Sequence, residues 1–267
     1  MNRNELQALI HEKGSYLCIG LDTDLDRIPR HLLKYENPIW EFNKAIIDAT
    51  RDLCVAYKPN TAFYEAYGAM GWEALKRTAE YIGSSHFRIA DAKRGDIGNT
   101  SRLYAKAFFE SMDYDAVTVA PYMGSDSVAP FLGFAEKWVI LLALTSNEGS
   151  RDFQTTPSPT LPLYQNVITT ARTWATADSM MFVVGATHPA HFAEIRNLAP
   201  EHFFLVPGIG AQGGDLAAVT AAGKNEHTGL LVNSSRDIIF ASAGEDFAEA
   251  ARAKALTLRN QMKGIAH

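Results

Sequence analysis

The sequence predicts an α/β protein, a (β/α)₈ TIM barrel formed as a single domain over residues 1–267. Eight apolar, β-branched runs of strand length recur along the chain, and segments with helical hydrophobic periodicity separate them. Strands that alternate with helices pair in parallel. Eight such units in 267 residues fit the usual size of this barrel, about 250 residues. A doubly wound open sheet is the alternative that the same alternation allows.

The strands are the short apolar runs, and the helices are the longer amphipathic ones. Strands are predicted at residues 16–21, 54–57, 87–90, 116–120, 139–144, 181–184, 203–206 and 230–232. Helices are predicted between them, including residues 39–52, 72–82, 101–111, 164–177, 189–198 and 215–222. In either fold a ligand binds at the carboxyl ends of the strands. The side chains that follow each strand are therefore the candidate site residues.

Composition excludes some partners. The net charge of −5 gives no basic face, so a nucleic acid is not expected, although a local basic pocket could still bind a small anion. Cys18 and Cys54 lie in apolar runs without metal-ligand spacing, and we expect reduced core residues. The first residues lack a signal peptide's apolar region, and the longest strongly apolar run, residues 138–144, is too short to span a bilayer. We expect a cytoplasmic protein with no membrane partner.

The first two strands end in candidate polar groups. Asp22 follows strand one, where its carboxylate could accept hydrogen bonds from a ribose hydroxyl, although a turn aspartate at Asp24 or Asp26 explains the local sequence about as well. Lys58 ends strand two, because Pro59 stops the strand and leaves the lysine at the mouth. A surface lysine whose stem covers apolar neighbours is the alternative.

The end of strand three is the most charged of these positions. Asp91 and Lys93 are two residues apart, so on an extended backbone they point to one side. Gly95 allows a turn that can carry Asp96 away from them, and a helical pattern follows from Ser101. One cation and two anions crowded at a strand end are costly unless they face a ligand or each other. A solvated loop with incidental ion pairs is the alternative.

The segments that follow the later strands predict a cover for the mouth and a phosphate site. Residues 147–165, which follow Ser146, are rich in Pro, Ser and Thr and are predicted to cover the mouth, because the β/α alternation resumes after them. Residues 208–213 form a Gly-x-Gly-x-x-Gly motif, but the acidic residue of a dinucleotide site is missing about twenty positions on. These glycines favour close approach of a phosphate at a helix N-terminus, and Arg236 follows strand eight beside them.

The motif Asp-x-Lys-x-x-Asp-Ile-x-x-Thr at residues 91–100 resembles the signature of the orotidine 5′-phosphate decarboxylase family. The similarity covers nearly the whole chain and points to the longer bacterial subgroup, type 2. The core of the motif, Asp-x-Lys-x-x-Asp, is shared with sugar-phosphate relatives of the same superfamily. In smaller family members the arginine after strand eight directly follows a glycine, whereas here it follows Asn-Ser-Ser.

The resemblance implies a role for each matching residue. It implies that Asp22 and Lys58 contact the ribose and join a charged network, and that Asp91 and Lys93 face the substrate carboxylate and the carbon that bears it. The remaining implied contacts are Asp96, Ile97 and Thr100 with the partner subunit's site, Ser146 with the pyrimidine, and Gln212 and Arg236 with the phosphate. A homodimer with active sites at its interface is therefore expected.

The implied reaction is decarboxylation of orotidine 5′-phosphate to uridine 5′-phosphate, the last step of de novo UMP biosynthesis. Loss of CO₂ leaves an electron pair on a vinyl-type carbon, which Lys93 is placed to stabilise and protonate without metal or cofactor. A magnesium-dependent sugar-phosphate decarboxylase or aldolase is the alternative, but such enzymes carry an acidic ligand on strand two, where this chain has Lys58. Carboxylates beside Lys93 favour its charged form and argue against a Schiff-base aldolase. A non-catalytic phosphate-binding barrel would not need such crowded charge.

Overall fold

The structure, a computed structural model, describes residues 1–157, 161–187, 189–209 and 214–265. Within them, eight parallel strands close into a barrel in sequence order. This closure confirms the predicted (β/α)₈ fold class and excludes the doubly wound open sheet. The strands are β1 (Leu17–Gly20), β2 (Ala56–Lys58), β3 (Phe87–Arg94), β4 (Ala116–Val119), β5 (Trp138–Leu144), β6 (Met180–Val184), β7 (Phe204–Pro207) and β8 (Leu230–Ser234).

Helices connect the strands, and local sequence explains where several of them begin. The described helices are α1 (Arg3–Lys13), α2 (Pro38–Thr50), α3 (Ala62–Glu65), α4 (Gly68–Ile82), α5 (Gly98–Lys106), α6 (Ser125–Leu132), α7 (Ser150–Phe153), α8 (Leu163–Ala171), α9 (Pro189–Leu198), α10 (Leu216–Gly223), α11 (Arg236–Ile239) and α12 (Phe247–Ile265). Asn2 and Glu5 form a capping box at the start of α1. Asn37 caps α2, whose first residue is a proline that needs no hydrogen-bond acceptor there.

Among the strands, the largest boundary difference concerns β3. The sequence predicts an end at Ala90, but the strand continues to Arg94, with a shift in its register against β4. The helix expected from Ser101 begins earlier, at Gly98, which has a left-handed φ of 52°. The charged motif therefore starts inside the strand rather than in a loop after it.

The N-terminal end of the barrel is closed by the start of the chain and α1. The Met1 amino group lies 2.8 Å from Asp115 Oδ1, just before β4, and Lys13 Nζ donates to the Cys54 carbonyl, before β2, at 2.9 Å. Cys18 and Cys54 are buried with free thiols, as predicted. No described helix is both long enough and apolar enough to cross a membrane. The carboxyl end of the barrel is left as the open mouth.

Candidate active site

A cavity of about 530 Å³ opens at the carboxyl ends of the strands. Its wall is charged where β1, β2 and β3 contribute, and apolar where β5, β6 and β7 contribute. The charged lining residues are Asp22, Lys58, Asp91 and Lys93, the apolar ones include Leu142, Val183 and Leu205, and Arg236 lines it after β8. The cavity can therefore hold a ligand that has an anionic group and an apolar or weakly polar part.

A chain of three charged side chains crosses the charged wall. Lys58 Nζ donates to Asp91 Oδ2 at 2.7 Å, and Lys93 Nζ donates to Asp91 Oδ1 at 2.6 Å. Lys58 and Asp91 are 4% and 8% exposed, whereas the Lys93 side chain is 48% exposed. The carboxylate is thus fixed between two ammonium groups, of which only that of Lys93 reaches into open space.

Neighbouring opposite charges stabilise the ionised forms of Asp91 and Lys58. Burial by itself would raise the pKa of Asp91, but the charges of Lys58 and Lys93 outweigh it and hold that pKa well below its usual range. Burial would likewise lower the pKa of Lys58, but the charges of Asp91 and Asp22 outweigh it and raise that pKa. At neutral pH Asp91 is therefore an anion and Lys58 a cation.

The backbone places these groups through contacts between neighbouring strands. The strand β2 ends at Lys58, as predicted from the proline that follows. The Asp91 N–H donates to the Pro59 carbonyl at 3.0 Å, which joins β3 to the end of β2. Lys93 has a left-handed φ of 48°, and its N–H donates to Thr118 Oγ1 on β4 at 2.8 Å. The side chains of Asp91 and Lys93 are in contact, but Lys93 does not have the extended backbone on which the sequence prediction was based.

Asp22 lies at the mouth, half-buried, as the sequence predicts. Its Oδ1 is buried and has no hydrogen-bond partner within the described part of the chain, so a bound ligand could supply one. Gly20, two residues earlier, allows the loop after β8 to come close, because a Cβ there would lie 1.7 Å from Ser235 Oγ. Arg236, next to that serine, is exposed and begins α11.

Ser146 also lines the cavity. A Cβ at Gly185, which follows β6, would lie 2.7 Å from the Ser146 backbone nitrogen. A glycine is therefore needed for the loop after β5 to pack against the end of β6. The cover predicted at residues 147–165 contains α7 and the first residues of α8, while residues 158–160 lie outside the described ranges.

Asp96, Ile97 and Thr100 do not line this cavity. Asp96 is half-buried, and its Oδ1 accepts a hydrogen bond from the Ile97 N–H at 2.7 Å. Ile97 is 54% exposed. These three residues therefore lie outside the lining of the cavity that Asp91 and Lys93 of the same chain share. Gly95, where the turn was predicted, is the first residue after β3, and the left-handed φ values of this region lie at Lys93 and Gly98.

The phosphate site predicted after β7 is described only in part. Gln212 and its neighbours, residues 210–213, lie outside the described ranges. At α10, Asp215 Oδ1 accepts hydrogen bonds from the N–H groups of Ala217 and Ala218 and so caps the helix. Of the predicted phosphate contacts, Arg236 is the one that the structure places in the cavity wall.

Some lining residues are not singled out by the sequence. They are Phe63, Thr118, Leu142, Val183, Leu205, Ile209 and Asn233. None of them carries a charge, and their signal is positional, because almost all lie near the carboxyl end of a strand. Within the described residues, no three His, Cys, Asp or Glu side chains converge as a metal-ligand set.

Comparison with known proteins places this site in context. The sequence pattern of the "Orotidine 5'-phosphate decarboxylase / HUMPS family" matches residues 15–253. Proteins named orotidine 5′-phosphate decarboxylase are 58% identical in Flavobacterium johnsoniae, over 99% of this chain and 98% of that protein, and 58% identical in Christiangramia forsetii, over 98% and 97%. The Leishmania donovani OMP decarboxylase structure superposes with a TM-score of 0.82 at 36% identity, covering 97% of this chain and 99% of that one.

Proposed function

Because this chain belongs to the orotidine 5′-phosphate decarboxylase / HUMPS family, we propose that it converts orotidine 5′-phosphate to uridine 5′-phosphate and CO₂ in pyrimidine biosynthesis, as a cytoplasmic enzyme without cofactor. The observation that carries the proposal is the Lys58–Asp91–Lys93 chain at the mouth of the barrel. A site that only bound a phosphate ester would gain nothing from a buried carboxylate held between two ammonium groups.

We propose one direction for the substrate in the cavity. Its phosphate lies toward Arg236, and its ribose lies against Asp22, whose Oδ1 lacks a partner among the described residues. Gln212, the second phosphate contact that the family resemblance implies, stays a prediction from the sequence. The pyrimidine then faces Ser146 and the apolar wall that includes Leu142. This direction brings the carboxylate and the carbon that bears it to Asp91 and Lys93.

The chemistry follows from the charges. The bond between C6 and the carboxylate carbon breaks, CO₂ leaves, and the electron pair stays on C6. The Lys93 ammonium stabilises that pair and donates a proton to it, and water then restores the proton of the lysine. A charge pair at 4 Å gains about 1 kcal/mol in water and about 4 kcal/mol at an effective dielectric constant of 20, so a closed site strengthens this stabilisation. Lys58 keeps Asp91 ionised and in place.

The test follows the absorbance loss of orotidine 5′-phosphate with and without a chelator. Turnover that the chelator does not change is expected, with the Lys93→Ala variant as the background. An inactive protein would contradict the proposal. Chelator-sensitive turnover would favour the metal-dependent sugar-phosphate relatives, against which Lys58 argues because it occupies their acidic ligand's position on strand two.

We further propose that the enzyme is a homodimer whose active sites lie at the interface. Large apolar side chains are exposed on the part of the chain that follows β3, β4 and β5. Ile97 is 54%, Leu103 55%, Tyr122 93% and Phe153 72% exposed. Tyr122 and Phe153 line a common groove of 800 Å³. Grouped exposure of this kind is typical of an interface. A second copy seated here would receive Asp96, Ile97 and Thr100 in its own site.

Mixing two inactive variants tests this arrangement. Asp96→Ala and Lys93→Ala are combined under conditions in which subunits exchange, and each variant alone is the control. If Asp96 serves the partner's site, a mixed dimer has one site with both defects and one with neither. Random reassortment makes about half of the dimers mixed, so roughly a quarter of wild-type activity should return. No return of activity, with exchange confirmed independently, would assign Asp96 to the site of its own subunit.

A further inference from the structure

The regular pairing between β3 and β4 is interrupted next to the ion-paired residues Lys58, Asp91 and Lys93. Asp91, Ala92 and Lys93 on β3 lie opposite a single residue of β4, Thr118, because the regular pairing stops at Ala90 and resumes only at Arg94. Lys93 adopts a φ of 48° within this bulge. Side chains with a Cβ rarely adopt that conformation, so surrounding contacts must stabilise it.

Thr118 supplies the contacts that the irregular pairing leaves out. Its Oγ1 accepts a hydrogen bond from the Lys93 N–H at 2.8 Å and donates one to Asp91 Oδ1 at 3.1 Å. The same carboxylate oxygen accepts from Lys93 Nζ at 2.6 Å. The three residues therefore form a closed ring of hydrogen bonds, and Thr118 is only 1% exposed within it.

We propose that Thr118 is a positioning residue for the decarboxylation. Its hydroxyl fixes both the left-handed backbone of Lys93 and the carboxylate of Asp91, so that the ammonium group points at the reacting carbon. The inference rests on the proposed function of this site. A hydroxyl suits the role because it donates and accepts at once, whereas the backbone N–H only donates and the ionised carboxylate only accepts. The β-branched threonine also restricts χ1, which keeps the hydroxyl in position.

The test compares Thr118→Val, which keeps the shape, with Thr118→Ser, which keeps the hydroxyl. We expect Thr118→Val to lower kcat about 10- to 100-fold, because a buried N–H loses its acceptor and the proton donor is displaced. Affinity for uridine 5′-phosphate should stay within about threefold, since the phosphate contact is remote. Thr118→Ser should recover kcat to within about threefold of wild type.

Thr220→Val is the matched control. The Thr220 hydroxyl is equally buried, at the other end of the barrel, where it donates to the Leu216 carbonyl and lies 2.7 Å from the Tyr16 hydroxyl. Its loss should lower Tm comparably and leave kcat unchanged. Should Thr118→Val not fold, as judged by circular dichroism and product binding, Thr118→Ala is measured by the same criteria.

Two results would overturn the inference. One is a Thr118 variant without the hydroxyl that keeps wild-type kcat. The other is an equal loss of kcat in Thr220→Val, which would mean general loosening of the barrel rather than positioning. An inactive wild-type protein would contradict the proposed function instead, so the two failures are distinguishable.

Discussion

Acid should destabilise this barrel through His202, a buried imidazole that precedes β7. The side chain is 5% exposed, and neither ring nitrogen has a hydrogen-bond partner within the described residues. Its ring lies 5.2 Å from that of Phe182. Burial, followed by the nearby positive charges of Arg172, Arg3 and Arg196, lowers the pKa of His202 from 6.5 to about 4.

The sign and size of the effect follow from proton linkage. Between pH 6.5 and pH 4 the unfolded chain binds a proton at His202 that the folded protein does not. The free energy of unfolding therefore rises with pH in that window and falls as the solution is acidified. The pKa difference lowers the free energy of unfolding by about 2 kcal/mol at pH 5 relative to pH 7.5.

Urea unfolding of the wild type and of His202→Phe at pH 7.5 and pH 5 measures this contribution. We expect the variant to lose about 2 kcal/mol less on acidification than the wild type. A packing change caused by the larger ring acts at both pH values and cancels in this difference. His86, whose pKa is also lowered to about 4 by burial and by the charge of Lys13, remains in both proteins and keeps part of the acid sensitivity. Equal losses in the two proteins would refute the assigned role of His202.

Two predictions concern the active site. Lys93→Ala should lower turnover at least ~10²-fold. Uridine 5′-phosphate should still bind, because the phosphate contact is remote from the lysine. Turnover above a tenth of wild type would remove Lys93 from the role of proton donor. Arg236→Ala should mainly weaken substrate binding. In a separate experiment on the wild type, added phosphite should partly restore turnover of a substrate that lacks its phosphate. An unchanged affinity, measured by product titration, would place Arg236 outside the phosphate site.

The sequence by itself determined the fold class and the strands near whose carboxyl ends the charged residues lie. Apolar runs alternating with amphipathic segments specify parallel strands joined by helices, and the carboxyl ends of such strands meet at one mouth. Lys58 before a proline at the end of β2, and Asp91 and Lys93 near the end of β3, therefore face one cavity. These predictions depend on local periodicity and on the general geometry of the barrel, and both can be inferred from neighbouring residues.

The tertiary structure alone decided the register and the surroundings of those charges. Thr118 lies 27 residues from the Asp91 carboxylate to which it donates. Its contact arises because β3 and β4 pair with a bulge that local sequence does not specify. The apolar wall opposite, which includes Leu142, lacks charge and so has no motif by which to recognise it. Hydrogen bonds between strands and contacts across the barrel form only on closure, so side-chain spacing along one strand cannot reveal them.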